Sequence, residues 1–145
     1  MVSINPYLNF NGNCEEAFLF YQSVFEGELT LHRYADTAET SNLPRNDLNK
    51  LMHVSLSIGA GNFLMASDTL DSQGHKLNPG NNFYISVQAE NREEADKLFK
   101  ELSPGGEKRM EMQETFWGSY FGMLKDKFGI QWMIDCDLKD NMQSL

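Results

Sequence analysis

The apolar positions of the chain change period several times. Residues 4–10 alternate, with Ile4, Leu8 and Phe10 on one side and Asn5, Tyr7 and Asn9 on the other. Residues 82–88 do the same, with Phe83, Ile85 and Val87 against Asn82, Tyr84, Ser86 and Gln88. A period of two predicts strands with unlike faces. Behind each strand the period lengthens. Ala17, Phe18, Phe20, Tyr21, Val24 and Phe25 recur at helical spacing, as do Ala95, Leu98, Phe99 and Leu102. Both predicted helices open on Asn followed by acids, Asn13-Cys-Glu-Glu-Ala17 and Asn91-Arg-Glu-Glu-Ala95, which places Asn at the N-cap and negative charge in the first turn. Gly27 and Pro104-Gly105-Gly106 are the expected stops.

Three further strands are predicted behind each helix, at about 28–35, 51–58 and 62–67, then at about 107–114, 118–125 and 130–135. The chain therefore reads as βαβββ repeated. The helix openings repeat at an offset of 78 residues, and Gly61-Asn-Phe-Leu-Met65 parallels Gly129-Ile-Gln-Trp-Met133 at 68. About ten extra residues fall in the polar segment 36–50, which reads as a mobile loop. One helix on one sheet is too little core for either module alone. The fold class is α+β, with two curved mixed sheets around a shared cleft, module one at about 1–68 and module two at about 80–137.

Charge and composition narrow the function. Lys plus Arg is 12 and Asp plus Glu is 21, for a net charge of −9. That balance does not supply the clustered positive charge needed to grip nucleic acid or an anionic membrane. No run approaches the length of a bilayer span, and the opening residues show no secretory pattern. Cys14 and Cys136 match neither a disulfide framework nor a zinc spacing, and read as reduced thiols of a cytoplasmic protein. There is no dinucleotide fingerprint, phosphate loop or nucleophile elbow, so no cofactor is called for. Cys14 at a helix start could carry a dipole-stabilised thiolate, but no base accompanies it.

The paired modules resemble the vicinal-oxygen-chelate fold of glyoxalase and bleomycin-resistance proteins. Local motifs narrow the resemblance to PhnB-like proteins: Pro6-Tyr7-Leu8, Gly12-Asn13-Cys14-Glu15-Glu16-Ala17, Phe20-Tyr21, His53, Met65-Ala-Ser-Asp68, Gln113-Glu-Thr-Phe-Trp117, Asp126-Lys-Phe-Gly129 and Trp132-Met-Ile134. The resemblance spans about 4–136 and implies one glyoxalase-like domain over 1–145, assembled as a homodimer. Members often carry a ubiquinone-related methyltransferase name. The chain has no alternating β/α pattern and no glycine-rich turn of the kind that usually holds S-adenosylmethionine.

Metal-dependent relatives place two His on first strands and two acids on last strands. The corresponding positions here are Asn5, Asn82, Met65 and Met133. Two amides and two thioethers form a poor site for a hard divalent cation, so no metal is expected. Met65 and Met133 instead suit the floor of an apolar pocket. His53 lies on a polar strand face with Ser55 and Ser57, away from Met52, Val54, Leu56 and Ile58. It reads as a hydrogen-bonded structural His or as a general acid or base. His32 has mixed surroundings, and His75 sits in an exposed loop. Trp117 belongs to a pocket or an interface, Trp132 to a core or an interface. Asp126–Gly129 reads as a turn, and Asp68 as a cap for the loop that follows it.

The expected pocket is Asn5, Tyr7, His53, Ser55, Met65, Tyr84, Trp117 and Met133, with His53 the one catalytic candidate. The expected function is metal-independent binding of a small organic ligand. The alternatives are a metal-dependent lyase, isomerase or dioxygenase with a displaced site at His53 and Asp68 or Glu114, and a methyltransferase.

Overall fold

The structure, a computed structural model, describes residues 1–37 and 42–138. The chain divides into two compact units, the first Met1–Asn78 and the second beginning at Pro79. In the first, β1 (Tyr7–Phe10), α1 (Cys14–Phe25), β2 (Glu28–Arg33), β3 (Leu51–Gly59) and β4 (Asn62–Asp68) follow in order. In the second, β5 (Ile85–Ala89), α2 (Arg92–Leu102), β6 (Glu107–Glu114), β7 (Ser119–Lys125) and β8 (Gln131–Asp137) repeat the series. The sheets are ordered β1-β4-β3-β2 and β5-β8-β7-β6. In each, the first strand runs parallel to the last and the other pairings are antiparallel. Both sheets are mixed and neither closes on itself, and the βαβββ pattern read from the sequence is present twice.

The sequence over-extends the first strands. β1 begins at Tyr7 and β5 at Ile85, while Ile4 and Phe83 are exposed. Each helix covers one face of its sheet. Leu8, Phe10, Phe18, Tyr21, Val54, Leu56, Leu64 and Ala66 form the first core. Leu98, Phe99, Leu102, Leu124, Trp132 and Ile134 form the second, with Trp132 only 1% exposed. Trp132 is therefore a core residue. Met52 departs from the expected apolar face. His32 pairs with His53, but Arg33 pairs with Leu51, so β3 carries an extra residue there. This bulge turns Met52 outward and leaves Leu51 buried.

The helix ends also differ from expectation. Asn91 caps α2 by accepting from the Glu94 amide at 2.8 Å, but the Asn13 side chain caps nothing. Asp68 from the end of β4 takes over, with Oδ1 accepting from the Gly12 and Cys14 amides at 2.9 and 3.0 Å and Oδ2 from the Leu51 amide at 2.9 Å. Asp68 thus joins α1, β3 and β4 instead of capping its own loop. At the other end of α1, Glu26 takes the left-handed conformation expected of Gly27. Gly27 is required for a different reason. A Cβ there would lie 1.7 Å from the Ser57 carbonyl oxygen. Gly106 repeats this before β6, where a Cβ would lie 2.2 Å from the Lys125 carbonyl oxygen.

The segment 36–50 carries structure of its own. Short 3₁₀ turns occupy Tyr34–Asp36 and Arg45–Asp47, and buried Asp47 accepts from Lys50 Nζ and from the Ser72 hydroxyl. Residues 38–41 of that loop lie outside the described residues. Among the described residues no helix is long and apolar enough to cross a membrane.

Candidate functional site

Each helix covers one sheet face and leaves the other open. On the first sheet the open face follows from strand alternation, with the apolar partners of each residue turned to α1. Tyr7 pairs with Met65, Met65 with Ser55 and Ser55 with Thr30, forming one row across four strands. His53 and His32 pair directly in the neighbouring row. A hydrogen bond of 3.2 Å joins the Tyr7 hydroxyl to His53 Nδ1, and the two rings lie 5.8 Å apart. Tyr7 is 47% exposed, so this pair is open to solvent. Four of the expected pocket residues, Tyr7, His53, Ser55 and Met65, therefore share this surface. Asn5 lies just before β1, and its Oδ1 accepts from the Phe63 amide at 3.3 Å.

Sequence reasoning missed two neighbours. His32 was readable only through strand register, which sets it opposite His53. Tyr34 follows β2 and donates its hydroxyl to the Asp68 carbonyl at 3.0 Å. Burial, then the charge of Asp68, pushes the Tyr34 hydroxyl pKa up.

On the second sheet the open row is Ser86, Met133, Met123 and Met110, in register across β5, β8, β7 and β6. Gln88, Asp135, Phe121 and Gln113 form the next row. Met133 thus sits on the open face of its sheet. Trp117 is half exposed at the turn between β6 and β7, with Phe121 6.0 Å away and Phe116, 97% exposed, packed edge-on at 5.1 Å. Tyr84 lies just ahead of β5, and its hydroxyl accepts from Arg109 Nη1 at 2.8 Å. Asp126 forms the expected turn, accepting from the Phe128 and Ile130 amides at 2.8 and 3.0 Å and from Trp132 Nε1 at 2.8 Å.

The residues present do not fit the metal that the fold's metal-dependent members use. Asn82 is exposed in a bend ahead of β5, and Met65 and Met133 offer only thioethers. The two acids considered for a displaced site are both engaged elsewhere. The Asp68 carboxylate is buried on the helix side of its sheet, away from His53, and holds three backbone amides. Glu114 is paired with Arg92 at 2.8 Å. Among the described residues Asp135 keeps a buried Oδ1 without a hydrogen-bond partner, but no three His, Cys, Asp or Glu side chains form a metal-binding group.

The thiolate reading of Cys14 is also overturned. Cys14 is fully buried, and desolvation, followed by the charge of Asp68, pushes its thiol pKa up. Burial raises the Cys136 thiol as well. A helix N-terminus does not activate a thiol that water cannot reach.

This arrangement has known counterparts. Escherichia coli K12 Protein YjdN is 34% identical over 143 residues, covering 91% of this chain and 93% of its own. Protein PA1353 from Pseudomonas aeruginosa has a TM-score of 0.83 at 36% identity, covering 94% of this chain and 98% of its own. The PhnB protein from Bacillus cereus has a TM-score of 0.71 at 26% identity, over 93% of this chain and 99% of its own. The fold is also that of a glyoxalase/bleomycin resistance protein/dioxygenase family enzyme from Burkholderia phytofirmans PsJN, with a TM-score of 0.63 at 18% identity over 91% of this chain and 97% of its own. The family model described as 3-demethylubiquinone-9 3-methyltransferase matches residues 2–135, and the chain belongs to that PhnB-like family within the glyoxalase/bleomycin-resistance/dioxygenase fold.

Proposed function

We propose that the protein binds a small organic molecule without a catalytic metal, and that the open face of the first sheet takes part in the binding. The observation that carries this reading is the Tyr7–His53 pair standing beside Met65 and Ser55. Small-molecule sites combine apolar floor with a few placed polar groups, and this surface has both. The donor chemistry supports the metal-free part of the reading, because the residues that the sequence offers for the ligand positions are amides and thioethers. The compartment is the cytoplasm and the assembly a homodimer, in keeping with two buried thiols and an exposed aromatic pair at Phe116 and Trp117.

A thermal-shift screen of tag-free protein tests this reading. It would include divalent metals, S-adenosylmethionine, quinones, phosphonates and aromatic antibiotics, with metal content measured on the same batch. Stabilisation of metal-free protein by an organic compound is the expected result, since ligand binding to the native state raises its melting temperature. Stabilisation that requires metal would contradict it, and stabilisation by S-adenosylmethionine alone would favour a methyltransferase.

A further inference from the structure

We infer that the open face of the second sheet recognises the acidic group of a small organic anion through Arg109. Lys108 pairs with Leu124 and Met110 with Met123, so Arg109 is the extra residue of a bulge in β6. Bulges re-aim side chains. This one sends the guanidinium across β7, where Nη1 donates to Tyr84 Oη at 2.8 Å and to Gln131 Oε1. Gln131 is itself 5% exposed and held by its Nε2, which donates to the Phe83 carbonyl at 2.5 Å. A buried, doubly bonded amide thus fixes the orientation of a solvent-facing cation.

Both partners of that cation are neutral. Arg33 and Arg92 pair with Glu15 and Glu114, but among the described residues Arg109 has no carboxylate within ion-pair distance, and its Nη2 and Nε make no hydrogen bond. Glu107, two residues away on β6, is the nearby acid, and it pairs in register with Lys125. Lys125 in turn pairs with Gln131, which adds a second cation to the row. In a chain of net charge −9 a fixed guanidinium with unused donors is suited to a carboxylate, sulfonate or phosphonate, which accept its fork of N–H groups. The next row, at Met133, Met123 and Met110, is apolar and adaptable. The ligand is therefore an acid with an apolar body, the acid at Arg109 and the body along the methionines. This surface belongs to the second unit, and the inference goes beyond the Tyr7–His53 reading by giving the class of ligand that this face takes.

Two fluorescent probes separate charge from shape. 8-Anilinonaphthalene-1-sulfonate carries the acid, and N-phenyl-1-naphthylamine is the same aromatic body without it. Both are titrated into wild-type protein, Arg109→Gln and Arg109→Lys, with melting temperature as a check on folding. The expected result is that Arg109→Gln weakens the sulfonate about tenfold or more, with less than about a twofold change for the neutral amine. Arg109→Lys, which keeps the charge and loses the fork, should fall between. Equal effects on both probes, or no effect on the sulfonate, would overturn the assignment while leaving the binding function standing. Binding of neither probe to wild-type protein would likewise overturn the assignment, and the Tyr7–His53 reading would stand or fall by its own double variant.

Discussion

The hydroxyl of Tyr7 on β1 meets Nδ1 of His53 on β3 at 3.2 Å, with β4 lying between their strands. The contact spans 46 residues of sequence and exists because the parallel β1–β4 and antiparallel β4–β3 pairings bring these positions to one face. It is exposed, so it contributes little to stability, but it orients two polar side chains beside Met65.

Asp68 is the joint of the first unit. Asp68→Asn turns an acceptor into a donor facing a backbone N–H, which breaks one of three hydrogen bonds to a charged group. The expected loss is about 2 to 3 kcal/mol of unfolding free energy, measured by urea titration. A loss below about 0.5 kcal/mol would mean the carboxylate does not hold α1 to the sheet.

Gly27 and Gly106 should be irreplaceable for steric reasons. Gly27→Ala and Gly106→Ala each press a methyl group into a carbonyl oxygen, and each should cost more than about 3 kcal/mol or prevent folding. Gly59→Ala is the control. Its φ of +97° is strained for alanine but no atom lies within 4 Å, so it should cost about 1 to 2 kcal/mol. Equal effects at all three positions would contradict this reading.

The buried thiol of Cys14 predicts a loss of stability in alkali. Unfolding restores an ordinary thiol that ionises near a pH of about 8.5, whereas the native thiol, raised by burial and Asp68, stays protonated. Above that pH the native state holds more protons than the unfolded state, so stability falls as pH rises, by up to about 1.4 kcal/mol per pH unit for one thiol. Urea midpoints at successive alkaline pH values should therefore fall less steeply in Cys14→Ala than in wild type. The slope that remains includes Cys136 and Tyr34, whose pKa values are also raised. Parallel slopes would contradict the prediction.

The repeat was legible because strand and helix periods differ so clearly, and both helices and all eight strands lie where the apolar pattern puts them, with ends shifted by a few residues. Long-range roles were not legible. Asn13 looks like the cap of α1 because capping residues sit one position away in sequence, yet the cap comes from Asp68, 54 residues beyond Cys14. Met52 fits the apolar alternation, but a bulge moves it out, and bulges leave no mark on hydrophobicity. Arg109 reads as one charge in an exposed strand, and only its reach to Tyr84 and Gln131 distinguishes it. His53 and Tyr7 were legible as polar-face residues, although their mutual contact depends on register.

The measurement that tests the central claim most directly compares wild-type protein with the double variant Tyr7→Ala/His53→Ala. The ligand is the organic compound that most stabilises the metal-free protein, and binding is read by calorimetry. Because both side chains stand on an open face, the variant should keep its fold, with a melting temperature within a few degrees of wild type, as is usual for surface changes of about 0.5 kcal/mol. The account predicts that affinity falls at least about tenfold, equivalent to about 1.4 kcal/mol or more. Unchanged affinity in a folded double variant would contradict it and move the binding site off this face.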